Sequence, residues 1–298
     1  MEIHISIAPE SLFTVGPVNV TNSMFMMFVV MGLLLIVGSA IARGAKLIPG
    51  RWQGLFEVTA AFILEIVEST GGKTFGRRIY PMIGAIFMFI LIANYTGILP
   101  GVGTIGIYHA ESAEDVTDEG ESASETVVAE GEAVPVLAPI LRAPTADLNM
   151  TLAMALVTFT TVQVMGIRAH GVGGRLKHMA DPPFIFPIEL VSEFGRIISL
   201  SARLFGNVFA GEVLLAVMYA MANAVKIAIV PLLVPVVFIF LELLFGTIQA
   251  LVFALLTAIY ITMAAGSSHG GEHAEHTPEE RHGPEPVAAA RVPAAAGD

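Results

Sequence analysis

Five stretches of this chain are apolar for about 20 residues or more, the length a helix needs to cross the roughly 30 Å hydrocarbon core of a bilayer. They cover residues 22–42, 79–99, 148–167, 185–225 and 230–264. In lipid no water satisfies backbone N–H and C=O groups, so such segments fold as helices. The expected fold is all-α and polytopic, with five membrane helices. Composition agrees: 55% of residues are hydrophobic and only 14% charged, against about a quarter charged in soluble domains. The last two stretches are unusually long. As helices they would each measure about 50–60 Å, so they must tilt strongly, bend or run past the bilayer.

A sixth helix is expected to lie on the membrane rather than cross it. In "RWQGLFEVTAAFILEIVEST" (51–70), Gln53, Glu57, Glu65 and Glu68 share one side of a helix whose remainder is mostly apolar. That pattern suits the interface plane. Arg43, Lys46 and Arg51 follow the first span, and "RAHGVGGRLKH" follows the third, whereas nine acidic residues and no Lys or Arg fall between Glu111 and Glu132. The positive-inside rule then puts the N-terminus and the acidic loop outside and the C-terminus in the cytoplasm. The N-terminus, "MEIHISIAPESLF", has no basic region and reads as neither a cleaved secretory signal nor a transit peptide. The expectation is a multi-pass protein of a bacterial plasma (inner) membrane. Residues 1–21 would form an external segment. Residues 22–107 would hold the first two membrane helices and the interfacial one. Residues 108–146 would be a solvated, largely disordered and dispensable external loop, and 266–298 a disordered cytoplasmic tail. Cysteine is absent, which excludes disulfides and thiolate chemistry.

Two motifs read as bland. Gly72-Lys73-Thr74 looks like the end of a phosphate-binding loop, but the required glycine five residues earlier is Val67. It reads as a polar turn. His269, His273, His276 and His282 lie in the flexible tail and lack the supporting shell a metal site needs. No cofactor, metal or nucleic-acid partner is expected.

The fourth apolar stretch carries the chemistry. Glu189, Ser192, Glu193, Arg196, Ser199, Arg203 and Asn207 recur at helical spacing as one polar stripe, and Glu212 stands near the opposite face from Arg203. On the fifth stretch Glu242 and Gln249 share a face. Charges at membrane depth cost about 2.5–3.5 kcal/mol each on insertion scales. Two arginines against four carboxylates call for a water-filled path or for charged partners on another chain.

These residues carry a resemblance. "SLSARLFGNVFAGE" is similar to the signature of subunit a of F-type ATP synthases, and "GTIQALVFALLTAIYITMA" resembles that family's last helix. "APTADLNMTLAMAL", "IPGRWQGLFEVTAAFI" and "PIELVSEFGRIISLSARLFGN" extend the match in order and spacing. The resemblance implies a non-catalytic ion-translocating stator with no nucleotide site of its own. Its partners would be the c-ring, the peripheral-stalk b subunits and the rest of the synthase. Residues 147–265 would form the translocation region, with the last two helices as a tilted hairpin along the ring. Arg203 would stand between two offset aqueous half-channels and meet the ring carboxylates. Asn207 and Gln249 would orient Arg203 by hydrogen bonds. Glu212 and Glu242 would line the outer half-channel as a coupled pair. Asp147, Asn149 and Glu189 would sit at channel mouths, Glu189 on the cytoplasmic side. One departure stands out: many members carry one carboxylate and one histidine where this chain has Glu212 and Glu242. A self-contained transporter is the competing reading, but no internal repeat supports it.

Overall fold

A computed structural model of the chain describes residues 11–15, 18–46, 48–99, 102, 106–111, 134–139, 141–180, 186–224 and 230–266. Most of the acidic loop (112–133) and all but the first residue of the histidine-containing tail (267–298) lie outside these. Six helices dominate: α1 (Asn22–Arg43), α2 (Arg51–Gly71), α3 (Lys73–Gly97), α4 (Leu148–Ala180), α5 (Phe186–Ala224) and α6 (Val230–Gly266). All but α2 are long and apolar enough to span a membrane. The protein is an all-α polytopic membrane protein.

Helix α6 is the hub, packing against α2, α3, α4 and α5. Its stripe Ala250, Phe253, Ala254, Thr257, Ala258 and Ile261 is buried and follows the i, i+3, i+4, i+7 spacing of one helical face. The three alanines let neighbouring backbones approach, which is how membrane helices gain van der Waals contact when lipid is as apolar as leucine. Ile83, Phe87 and Ile90 of α3 and Leu200 and Leu204 of α5 complete that core. Helix α1 lies to one side, against α3.

Helix α2 has three faces, an arrangement that suits a helix lying in the interface plane. Ile63 and Val67 are buried in the common core. Leu55, Val58 and Phe62 are exposed apolar residues, fit for lipid, and Glu57 and Glu65 are exposed carboxylates, fit for water. Gly72 takes φ +75°, a left-handed conformation costly for any residue with a Cβ, and turns α2 directly into α3. The Gly-Lys-Thr motif is this turn. Arg77 then pairs with Glu68 across it at 2.6 Å, so α3 begins six residues before the expected 79. Helix α4 likewise outruns the expected 148–167, with regular geometry broken at Gly171 (φ 72°).

The described edges of the stretch 108–146, expected to be a solvated, largely disordered external loop, carry a strand pair and a buried turn. Strands β3 (Gly106–Glu111) and β4 (Val134–Pro139) pair antiparallel, Glu111 opposite Val134. Residues 142–147 are buried, with a 3-10 turn at Pro144–Ala146. The apolar pattern of "VPVLAPI" supports this order, whereas the acidic run beside it dominates the composition. A second strand pair, β1 (Ser11–Val15) with β2 (Val18–Thr21), leads into α1. Thr21 caps α1 by accepting a hydrogen bond from the Met24 N–H at 3.2 Å. Buried Asn22 donates to the Pro139 carbonyl at 3.0 Å, tying β4 to the start of α1.

Candidate functional site

Arg203 is exposed on the α5 surface, and the surface around it is made of small residues. Gly195, Ser199, Ala202, Gly206 and Ala210 are all exposed on the same flank. This follows from helical spacing: the apolar bulk of α5 (Ile197, Leu200, Leu204, Val208) turns to the core, leaving small side chains beside the guanidinium. No hydrogen bond to Asn207 or Gln249 engages Arg203 among the described residues. A cation within a membrane-spanning helix is costly unless a counter-charge or water meets it, and the small residues beside it leave room for close helix approach.

On one side of Arg203 along α5 lies a cavity of about 220 Å³ between α3, α5 and α6, lined by Asn94, Asn207, Gly211, Glu242 and Gly246 among others. Asn94 holds its wall in place. Its amide donates to the Gly246 carbonyl at 3.0 Å, and its oxygen accepts from Thr145 at 2.8 Å. One clasp thus joins α3, α6 and the 3-10 turn. The Glu242 carboxyl lies flush against Gly211, where a Cβ would come within 2.7 Å of Oε1. Glu242 Oε2 is buried without a hydrogen-bond partner. The structure therefore brings Glu242 and Asn207 to one cavity. Glu212 is not among that cavity's lining residues and pairs with Arg142 at 3.4 Å. Gln249, two turns along α6 from Glu242, is buried with its amide nitrogen unpartnered.

On the other side of Arg203 a second polar group forms where α4, α5 and α6 meet. Buried Glu193 accepts a hydrogen bond from the Gln163 amide. The Arg196 guanidinium lies over the Tyr260 ring, 5.1 Å from its centroid, a cation–π contact. Arg196 also reaches Glu189 at 3.7 Å, both half-exposed in the first turns of α5. A small cavity of about 20 Å³ lies among Thr158, Glu193, Arg196 and Tyr260, room for about one water. The Thr158 hydroxyl beside it has no partner.

Asp147 is buried and caps α4, accepting from the Asn149 N–H at 2.8 Å; Asn149 itself is exposed. The sequence reading missed Arg142, Asn94, Thr145 and Gln163. Arg142 had a signal, the apolar stretch and Pro-Thr-Ala-Asp around it. It also alters the charge count, because a third arginine faces the carboxylates from within the chain.

Comparison with known proteins agrees with the resemblance. The family model described as ATP synthase A chain matches residues 24–262. ATP synthase subunit a of Moorella thermoacetica is 31% identical over 257 residues, 86% of this chain and 95% of that protein. Subunit a of Syntrophobacter fumaroxidans is 31% identical over 272 residues, 90% and 93% of the two chains. ATP synthase subunit a 2 of a Bradyrhizobium species is 29% identical over 257 residues. With the family model spanning most of the chain and both polar groups set within its helices, this membrane protein belongs to the ATP synthase A chain family.

Proposed function

We propose that this chain, by its family a stator subunit of an F-type ATP synthase, couples ion flow to rotation through two polar paths separated by Arg203. One observation carries the reading: two cavities, each with a few polar side chains in a mostly apolar lining, lie on opposite sides of an exposed arginine on a single helix. The Glu242–Asn207 cavity is the end of the outer half-channel. The Glu193–Arg196–Glu189 group, below Arg203, belongs to the cytoplasmic one. Asp147 and Asn149 stand at the outer mouth, at the start of α4. The orientation follows from basic residues gathering at one end of the bundle. On this reading the N-terminus is outside and the C-terminus in the cytoplasm of a bacterial membrane.

The physics of the barrier is simple. A guanidinium remains charged at any physiological pH. It lowers the cost of ionising a carboxylate brought next to it, and it repels cations that would slip from one path to the other. The ring of c subunits would present such carboxylates one after another to the small-residue face around Arg203, with the peripheral-stalk b subunits holding this chain still. The membrane potential contributes about 2.3 kcal/mol per charge per 100 mV. The path serves protons or sodium ions, the choice resting with the ring's own binding site.

The test is purification of the complex and reconstitution into vesicles under an imposed ion gradient and potential. Co-purification with a c-ring and a soluble ATPase head, and ATP synthesis that the Arg203→Ala complex has lost, are the expected results. Normal synthesis by that variant sinks the mechanism.

A further inference from the structure

Sequence pairs Glu212 with Glu242 as two like carboxylates; the fold treats them differently. Arg142 is 4% exposed. It stands directly before Ala143 and the Pro144–Ala146 turn, all buried, so the guanidinium lies away from water. Arginine does not deprotonate in proteins, and a buried cation requires a counter-charge. Glu212 supplies one at 3.4 Å. Neutralising Glu212 would leave Arg142 buried without that charge. Glu242 carries no such obligation. It makes no ion pair among the described residues, one of its oxygens is buried without a partner, and it faces the 220 Å³ cavity with Asn94 and Asn207.

We infer that Arg142 is a positioning residue that fixes Glu212 as a standing counter-charge, leaving Glu242 as the single carboxyl that takes up and releases the ion in this cavity. The assignment rests on the ion-translocation reading above. It divides a two-carboxylate site into one fixed charge and one exchanging group. It also gives the turn at 144–146 a function, because that turn sets where the guanidinium stands.

The experiment compares Arg142→Gln, Glu212→Gln, the double variant and Arg142→Lys in the whole complex. ATP synthesis is measured in vesicles under an imposed gradient and potential, and the chain is quantified by immunoblot. Arg142→Gln leaves Glu212 uncompensated and should lower synthesis about tenfold, and Glu212→Gln should fall comparably. Removing both charges should restore synthesis about tenfold over either single variant, the coupling expected of directly paired groups. Arg142→Lys keeps the charge and should retain most of the activity. If Arg142→Gln fails to assemble, the same logic applies to assembly, which Glu212→Gln in the same chain must then restore. A double variant no better than Arg142→Gln overturns the inference. So does a double variant no better than Glu212→Gln, which would make Glu212 itself an exchanging group. Wild-type vesicles that make no ATP would instead refute the ion-translocation reading, so the two failures are distinct.

Discussion

Arg203 is exposed, and on the function proposed above its counter-charge comes from another chain. Its position was legible in the sequence, since a charge inside an apolar run demands a reason. Loss of coupling should follow chemistry rather than insertion. Arg203→Ala removes a charge that costs energy to insert, so chain levels on an immunoblot should hold while synthesis vanishes. Arg203→Lys should fail as well: an ammonium lacks the planar fork and can deprotonate in an apolar site, and vesicle synthesis assays on that variant check it. Glu242→Gln keeps the shape of the side chain against Gly211 but removes the exchangeable charge. Synthesis should drop about 10²-fold, the scale of losing one positioned proton-transfer group, with assembly intact; wild-type rates across pH 6–9 would remove Glu242 from the path. Arg142 escaped the sequence reading for the reason that made Arg203 conspicuous. Its apolar surroundings, residues 134–146, are too short to read as a membrane span and follow a long acidic run, so the signal they carry goes unread until packing shows the arginine buried.

The elements themselves were legible wherever hydropathy alone decides. Helices α1, α5 and α6 run at 22–43, 186–224 and 230–266, within about two residues of the apolar runs. Where polar groups enter a helix, hydropathy fails. Helix α3 starts early because Gly72 and the Arg77–Glu68 pair set its first turn, and neither is apolar. At this turn a Cβ on Gly76 would stand 2.9 Å from the Glu68 Cα and the Val67 carbonyl oxygen. Both are backbone atoms that cannot step aside. Gly76→Val should therefore prise α2 from α3, at the upper end of the 1–3 kcal/mol typical of overpacking. The subunit should dissociate from the solubilised complex at a clearly lower temperature than wild type; an unchanged dissociation temperature contradicts this packing. The strands at 106–111 and 134–139 were hidden by the acidic run between them. Their register places Glu111 opposite Val134, close enough for a two-residue hairpin. Replacing residues 112–133 by Asn-Gly, the preferred turn for such a hairpin, should leave synthesis within about twofold of wild type. A chain that no longer assembles would show that the removed stretch makes necessary contacts.

At the scale of the molecule, the bundle has a front and a flank. Helix α6 gathers α2, α3, α4 and α5 around its small-residue stripe, and α1 is held at the side by α3 and the 144–146 turn. Helices α5 and α6, each near 55–60 Å by residue count, are too long for an upright span. On the proposed reading a strongly tilted hairpin would fit them into the bilayer and lay one face along the ring. On that reading the face around Arg203 would be the contact, because its glycine, serine and alanine residues let another helix approach closely. The absence of cysteine makes the geometry directly testable. A single cysteine at Gly206 or Ala210, both exposed beside Arg203, should form a disulfide with a cysteine placed near the mid-membrane carboxylate of the c subunit. A cysteine at Leu35, 69% exposed on α1, should not, since α1 lies away from α5 and α6. Mild oxidation of membranes followed by non-reducing electrophoresis reads the result. The cross-link at Gly206 should also stop rotation-dependent ATP hydrolysis and release it on reduction, because a ring tied to the stator cannot turn. Equal cross-linking at Leu35 and Gly206 would mean that the ring does not choose this face, and the placement of Arg203 at the ring would fall with it.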